Sequence, residues 1–395
     1  MKILMLSPYL PYPLLSGGQI RTYNLLKKLS KKHQITLFAL IKDESEKAHI
    51  PELKKFCHEV KVFKRSEKPF TLQNIIKTGF SSYPFLVVRN YVPEVIGAVK
   101  KSIARNDYDL IHAETFYMMP HIPRTSIPII LAEQTIEYLG YESYAKKAPI
   151  FLKPFLNIDI KKIKFWEKFY WNACQRLIVM SDADRQLISL DVKDPDKISV
   201  VENGVDTSWF SLTVRNEPAV PTILSVGTFK WLPNVESVSY LVKSVWPKIK
   251  EDIPRVRLNI VGNDPTPKIL AFGAQDKQIS VIGRVEDIRT AFNSAHVLLA
   301  PVFSGKGTRY KVLEAMATGT PVVATPIAVE GLEVIDNKHV LIANTAEEMA
   351  QKTLLLIDNP ALRLKLAKAG KEFVTQKYDW ELIATKLDNI YKAIT

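Results

Sequence analysis

Thr222-Ile223-Leu224-Ser225-Val226-Gly227 is a short, mostly apolar run that ends in a glycine, and the pattern recurs along the second half of the chain. Val256–Val261 leads to Gly262 and Ile279–Ile282 to Gly283; His296–Val302 and Pro321–Thr325 follow. Such runs, alternating with helix-length stretches, read as buried strands of a mainly parallel sheet. The first half has its own series: Ile3–Leu6, Ile35–Leu40, Leu110–His112, Ile127–Leu131 and Leu177–Met180. Helices fit between them. One begins after Gly18 with Ile20, Tyr23, Leu26 and Leu29 on one face, and another runs from about Pro154 to Cys174. The pattern breaks over Val201–Pro221, where Asn203-Gly204 is a turn dipeptide and Asn216–Pro221 reads as a linker. The expected class is α/β, two domains repeating an architecture but not a sequence. Boundaries fall at 1–205 for the first domain, 206–221 for the linker and 222–378 for the second domain. A last helix over 379–395 is expected to pack back on the first domain.

With 395 residues, 47% hydrophobic and 24% charged, the chain is long enough to bury two cores. No run approaches the roughly 20 apolar residues of a membrane-spanning helix. The opening Met1–Leu6 run stops at Ser7-Pro8, with Pro11 and Pro13 beyond, too soon for a signal peptide. It reads as a buried first strand, and the expected location is cytoplasmic. Two cysteines, Cys57 and Cys174, lie outside any CxxC or Cys/His cluster, which excludes a disulfide scaffold and argues against structural zinc.

The net charge is +13, and it is unevenly spread: residues 1–200 hold 31 Lys and Arg against 20 Asp and Glu. A basic first half suits a polyanionic partner, be it nucleic acid, an anionic membrane face or a phosphorylated substrate. Within it, Lys153–Trp171 interleaves Lys153, Lys161, Lys162, Lys164 and Lys168 with Phe155, Phe165, Trp166, Phe169 and Trp171. Such a helix can lie on a membrane surface, or simply bury its apolar face in the domain.

The segment Ser304-Gly305-Lys306-Gly307-Thr308-Arg309-Tyr310-Lys311-Val312-Leu313-Glu314-Ala315-Met316-Ala317 carries the chemistry. Two glycines leave a strand and enter a helix, a geometry that points backbone N–H groups and a positive helix terminus at one spot. Lys306, Arg309 and Lys311 crowd that helix start, where cations oppose the macrodipole at about 0.3–1 kcal/mol each when exposed. A bound phosphate or pyrophosphate explains three of them together. The loop is not a Walker A motif, because Lys306 precedes Gly307 where Ser or Thr is required. With Thr308 as N-cap, the capping-box position falls on Lys311 and leaves Glu314 a turn too deep to cap. A carboxylate there is placed to accept from ribose hydroxyls. Ligands of open parallel sheets bind where such glycine loops sit, so Gly227 and Gly262 join the donor set.

These stretches, in this order, resemble the family-4 retaining glycosyltransferases (group 1) of GT-B architecture, two Rossmann-like domains facing across a cleft. The likeness spans nearly the whole chain. It takes in Ser16-Gly17-Gly18, Tyr108–His112, Val179–Asp184, Val201–Asp206, and Leu313–Ala317 followed by Gly319–Thr325. It implies that Glu314 is the second glutamate of the family's E-x7-E pair, which binds the nucleotide ribose. The first glutamate is replaced by Lys306, so sugar contacts must differ. Lys230 partly matches the family's phosphate pair in Gly227–Asn234, and Arg309 and Lys311 take the phosphate role as catalytic cations. Gly283-Arg284-Val285 matches a segment whose backbone reads the base. Gly17 and Gly18 match the loop that closes over the donor phosphate. His112, with Glu114 where the family often has a second histidine, is expected near the sugar or acceptor.

Three Asp-x-Asp triplets, at 107–109, 182–184 and 194–196, are accounted for by strand, helix and turn termini, so no metal and no other cofactor is expected. The expected function is transfer of a sugar from a UDP- or GDP-sugar to a cell-envelope polysaccharide, lipid-linked or other glycan acceptor, on a chain peripheral to the membrane. A sugar-nucleotide epimerase of the same architecture is the enzyme rival, and a basic nucleic-acid-binding protein the rival of another class. The second lacks any recognition motif. A nicotinamide dehydrogenase is disfavoured because neither half has GxGxxG.

Overall fold

A computed structural model of the chain describes residues 1–213, 215–305 and 307–395. They form two units, Met1–Asn203 with Ile383–Thr395, and Gly204–Leu382. The first holds β1 (Lys2–Ser7), β2 (Gln34–Ile41), β3 (Glu59–Lys64), β4 (Leu110–Glu114), β5 (Ile129–Glu133), β6 (Arg176–Val179) and β7 (Ile198–Val200). All pair in parallel in the order β3-β2-β1-β4-β5-β6-β7, with Ile3 facing Ile35 on one side and Leu110 on the other. The second unit holds β8 (Thr222–Val226), β9 (Arg257–Val261), β10 (Ile279–Ile282), β11 (Val297–Ala300), β12 (Val322–Ala324) and β13 (Leu341–Ile342), in the order β10-β9-β8-β11-β12-β13. Both sheets therefore reverse direction of growth once, between β1 and β4 and between β8 and β11. In such sheets the crevice outside the strand carboxyl ends at that reversal is where ligands bind.

Burial explains why these runs are mostly apolar. Ile223, Leu258, Ile260, Leu299 and Val323 enter one core of the second unit, while Leu224, Val261, Leu298, Ala300 and Val322 enter another. Alternate residues of one strand thus meet helices on opposite faces, and no polar face remains. Three strands escape the sequence reading. β3 is an edge strand whose Val60, Val62 and Phe63 are only partly buried, and β7 and β13 have three and two residues. The stretch 206–221 is not a free tether. It opens with a short helix, Thr207–Phe210, and Glu217 accepts from Arg215 and from Arg363 at 2.7 Å. Those two guanidiniums hold the Glu217 carboxyl at about 2, against a burial effect that pushes it up.

The tightest backbone approach of the second unit lies where β8 and β9 end. Gly262 has φ +151°, and a Cβ there would stand 1.7 Å from the Gly227 carbonyl oxygen. Only glycine avoids both the strain and the clash. Gly262→Ala is expected to lower stability by about 3 kcal/mol or more, read as a fall in the melting temperature. An unchanged melting temperature would show that the two loops do not meet this closely.

Candidate functional site

Two loops at the carboxyl edge of the second sheet, those after β8 and β11, contribute to one polar cluster. Gly227 follows β8, and a Cβ on it would meet Asn234 Cγ at 2.9 Å. Asn234, on the helix Leu232–Tyr240, donates from Nδ2 to the Thr228 carbonyl at 2.9 Å and accepts from Lys311 Nζ at 3.2 Å. After β11, Ser304 donates to Glu236 Oε2 at 2.9 Å, which ties the glycine loop to that same helix. Gly305 and Gly307 take φ +93° and +90°. Lys306, singled out from the sequence, lies outside the described residues.

The helix that follows is Tyr310–Thr318, so its N-cap is Arg309 and not Thr308. Arg309 offers no side-chain acceptor to the helix N–H groups. Its guanidinium instead folds back and donates to the Ser304 and Gly305 carbonyls at 3.1 and 2.8 Å. Arg309 thereby shapes the loop as well as charging it. Burial lowers its pKa, with the Glu330 carboxylate pulling the other way. Lys311, half-buried two residues into the helix, is brought down to about 8 by burial and then by the charge of Arg309, against Glu314. Glu314 is half-buried, and burial pushes its carboxyl up to about 7 against the opposing pull of Lys311. An electropositive spot is thus held at a helix N-terminus with a carboxylate one turn behind. Free of a ligand, its two central charges are strained in opposite directions. An anion beside Lys311 and hydroxyl donors to Glu314 would relieve both.

The other residues read from the sequence stand at different depths. Lys230 and Arg284 are exposed, and Val285 packs against the second core. In the first unit Gly17 and Gly18 open the helix Gly17–Leu29, capped by the Ser16 hydroxyl accepting from Gln19 N–H. A Cβ on Gly18 would stand 2.4 Å from Tyr9 Oη, so this glycine is fixed by packing. His112 and Glu114 are both fully buried. His112 Nδ1 meets Tyr391 Oη at 2.6 Å and its Nε2 stands 3.4 Å from Glu114 Oε1, while Gln134 Nε2 donates to Glu114 Oε2 at 2.5 Å. The expectation that these two touch sugar or acceptor meets a different geometry. They sit inside a polar chain from Tyr9 through Gln134 and Glu114 to His112 and Tyr391, below the surface. Sequence reasoning missed Tyr9, Gln134 and the Ser304–Glu236 tie. A polar residue just beyond the carboxyl end of a buried strand, as Gln134 is, was the available signal. Among the described residues no group of acidic, His or Cys side chains could hold a metal, and no helix is long and apolar enough to cross a membrane.

Comparison with known proteins places these motifs. Residues 220–359 match the family model for glycosyl transferases group 1, and residues 15–209 match that for glycosyltransferase family 4. The phosphatidyl-myo-inositol mannosyltransferase of Mycobacterium leprae is 26% identical over 313 residues, covering 77% of this chain and 78% of that protein. Sucrose-phosphate synthase from Thermosynechococcus elongatus has a TM-score of 0.74 at 18% identity, covering 100% of this chain and 99% of that one. Anabaena Alr3699/HepE in complex with UDP and glucose has a TM-score of 0.67 at 15% identity, covering 100% of both chains. At these identities the solved structures speak to fold, and that fold is GT-B.

The two cations give distinguishable outcomes on substitution. A lysine whose folded pKa is about 8 against 10.5 unfolded carries a cost that is full below pH 8 and relieved as pH rises toward 10.5. Lys311→Gln should therefore melt at the same or a higher temperature than the parent at neutral pH, and lack the parent's gain between pH 8 and 10.5. Arg309→Gln removes the donor to two loop carbonyls and should lower the melting temperature. Thermal unfolding of both variants across pH checks this, and a Lys311→Gln chain that melts lower at pH 7 would make that lysine structural.

Proposed function

Because the chain belongs to the group 1 glycosyltransferases of family 4, we propose that it transfers a sugar, with retention, from a nucleoside-diphosphate sugar to a cell-envelope glycan or lipid-linked acceptor. The observation that carries the donor half is the cluster around Lys311. The loop from Ser304, the N-terminus of Tyr310–Thr318, Arg309 and Lys311 suit a diphosphate, and Glu314 suits the ribose. As the glycosidic bond breaks, negative charge grows on the departing diphosphate. Preorganised cations and N–H groups stabilise that charge most where water is thin. The acceptor hydroxyl then attacks from the face the diphosphate leaves, and the diphosphate oxygen takes its proton. Glu314 and Asn234 position, the one by binding ribose and the other by steering Lys311. The Alr3699/HepE complex with UDP and glucose supports a UDP-sugar as the first donor to try.

The test is a panel of UDP, GDP, ADP and their sugars, read by thermal shift and by transfer in the presence of a chelator. A cognate nucleotide at 100 times its Kd stabilises by about 2.7 kcal/mol. Glu314→Ala should weaken that ligand about tenfold or more, a lost charge-assisted hydrogen bond being worth roughly 1.5–3 kcal/mol. No binding anywhere in the panel would refute the reading. Interconversion of the donor sugar with no acceptor present would make the chain an epimerase, and activity that returns only with a divalent cation would refute metal independence.

The lipid-linked acceptor draws support from the phosphatidyl-myo-inositol mannosyltransferase relative and from a surface of the first unit. The helix Lys153–Ala173 buries Ile160, Ile163, Tyr170 and Trp171 inward, yet leaves Phe155, Ile158, Phe165 and Phe169 exposed. Beside it the helix Leu72–Phe80 exposes Leu72, Ile75, Ile76 and Phe80, the last at 93%. Lys162 joins them by donating to the Thr78 and Ser81 carbonyls, both at 2.7 Å. Lys168 pairs with Asp191, which leaves Lys77, Lys153 and Lys161 around the apolar side chains. An amphipathic face of this kind binds an anionic bilayer. Co-sedimentation should be stronger with phosphatidylglycerol vesicles than with phosphatidylcholine, and Ile76→Asp with Phe80→Asp should abolish it. Equal binding to both lipids, or binding untouched by the pair, would remove the membrane from the proposal.

A further inference from the structure

The loop after β8 carries a tryptophan that its own fold does not use. Trp231 stands at the N-cap of the helix Leu232–Tyr240, a position where Ser, Thr, Asp or Asn would accept from the first free N–H groups, and it makes no cap hydrogen bond. Its side chain is 57% exposed. The other exposed aromatic rings of the second unit are covered by protein on one side. Trp209 meets the Arg289 guanidinium at 4.1 Å and Phe210 at 4.7 Å, and Phe303 meets Tyr240 at 4.5 Å. Among the described residues Trp231 has no ring or cation against it, and its indole N–H has no acceptor.

The backbone that presents this ring is fixed. Phe229 is buried, and its N–H donates to the Asn263 carbonyl at 2.8 Å. The Thr228 carbonyl accepts from Trp231 N–H at 3.2 Å and from Asn234 Nδ2 at 2.9 Å, while the Trp231 carbonyl accepts from Asn234 N–H at 3.0 Å. The same turn reaches the cation cluster at two points. Asn234, three residues after Trp231, accepts from Lys311 Nζ at 3.2 Å. Pro233, two residues after it, borders the glycine loop: a Cβ built on Gly305 would stand 3.5 Å from Pro233 Cγ and 3.2 Å from Arg309 Nη2. An uncovered indole is therefore held at the border of the spot where Arg309, Lys311 and the glycine loop converge. A ring on so constrained a loop loses little backbone freedom when a ligand covers it.

The chemistry of the ring narrows what that ligand is. The indole face is apolar and carries the negative side of the aromatic quadrupole, so it attracts a surface of C–H groups, while its N–H suits a hydroxyl. A pyranose offers both, with C–H groups on its faces and hydroxyls at its edge. We propose that Trp231 stacks on the sugar ring of the donor, beside the diphosphate, and selects a pyranose with an open C–H face. The inference rests on the transferase reading and deepens it. Arg309 and Lys311 suit what all nucleoside-diphosphate sugars share, whereas the indole contacts the part in which they differ.

Calorimetric titration compares UDP with UDP-glucose, GDP with GDP-mannose and ADP with ADP-glucose on the full chain and on its Trp231→Ser and Trp231→Phe variants. The nucleotide alone is expected to bind all three chains equally. Affinity for the cognate sugar nucleotide, taken relative to its nucleotide, should fall about five- to tenfold in Trp231→Ser and be largely kept in Trp231→Phe, as the loss and retention of an aromatic contact require. Serine is a good N-cap, so the unliganded Trp231→Ser chain should melt no lower than its parent. A lower melting temperature with the sugar preference intact would make the ring structural and overturn the proposal. An unchanged sugar preference in Trp231→Ser overturns it as well, and leaves the transferase reading standing because the nucleotide still binds. Slower transfer at unchanged donor affinity would assign the ring to the acceptor and not the donor. If none of these nucleotides binds the parent chain, the transferase reading itself fails and takes this inference with it.

Discussion

The helix Tyr310–Thr318 begins without a side-chain cap and with Arg309 and Lys311 set against its dipole. That constraint governs the second unit. Arg309 occupies the capping position without a side-chain cap hydrogen bond, and its guanidinium turns to the Ser304 and Gly305 carbonyls. Lys311 follows in a half-buried position, and Glu314 lies one turn on. Burial lowers the pKa of both cations, and for Lys311 the charge of Arg309 adds to it, an arrangement that an anion would relieve. Everything around it serves to hold that tension: the glycines at 305 and 307, the Asn234 bond to Lys311, and the packing of Gly262 on Gly227.

The first unit solves the same problem by another route. Its loops at the switch point carry an internal polar chain, Tyr9, Gln134, Glu114, His112 and Tyr391, linked by hydrogen bonds except between His112 Nε2 and Glu114 Oε1, which face each other at 3.4 Å. Burial alone would raise the Glu114 carboxyl, but His112, Arg21 and Gln134 hold it below the usual carboxylate range. Hydrogen bonds of this kind help to fix the backbone that carries them.

What the sequence disclosed follows from this division. Strands buried on both faces announce themselves as apolar runs, so β1, β2, β8 and β11 were legible, whereas the half-exposed β3 was not. The cation cluster after β11 was legible because glycine and cation sit within a few residues of one another on one loop. His112 looked like a ligand contact because strand ends commonly are, and the hydrogen bond from Tyr391, 279 residues away, cannot be read from local pattern. The tie that holds 206–221 is illegible for a related reason. Its Asn, Pro and Val spelling is that of a loop, but the distant Arg363 pins it down.

Tyr391 also sets an order of events during synthesis. Residues Ile383–Thr395 belong to the first unit, where Asp388 meets His33 at 2.9 Å and Tyr391 meets His112 at 2.6 Å. The ribosome must therefore translate the whole of Gly204–Leu382 before the first unit receives its last helix. At roughly 5–20 residues per second that interval is on the order of 10–40 s. Throughout it the nascent first half carries an uncovered His33 and His112, and the exposed aromatic side chains of the Leu72–Phe80 and Lys153–Ala173 helices as well. The half translated first is the half completed last, so chaperone demand for this chain should be greatest in the middle of translation, after the first sheet has emerged and before the final helix has closed it.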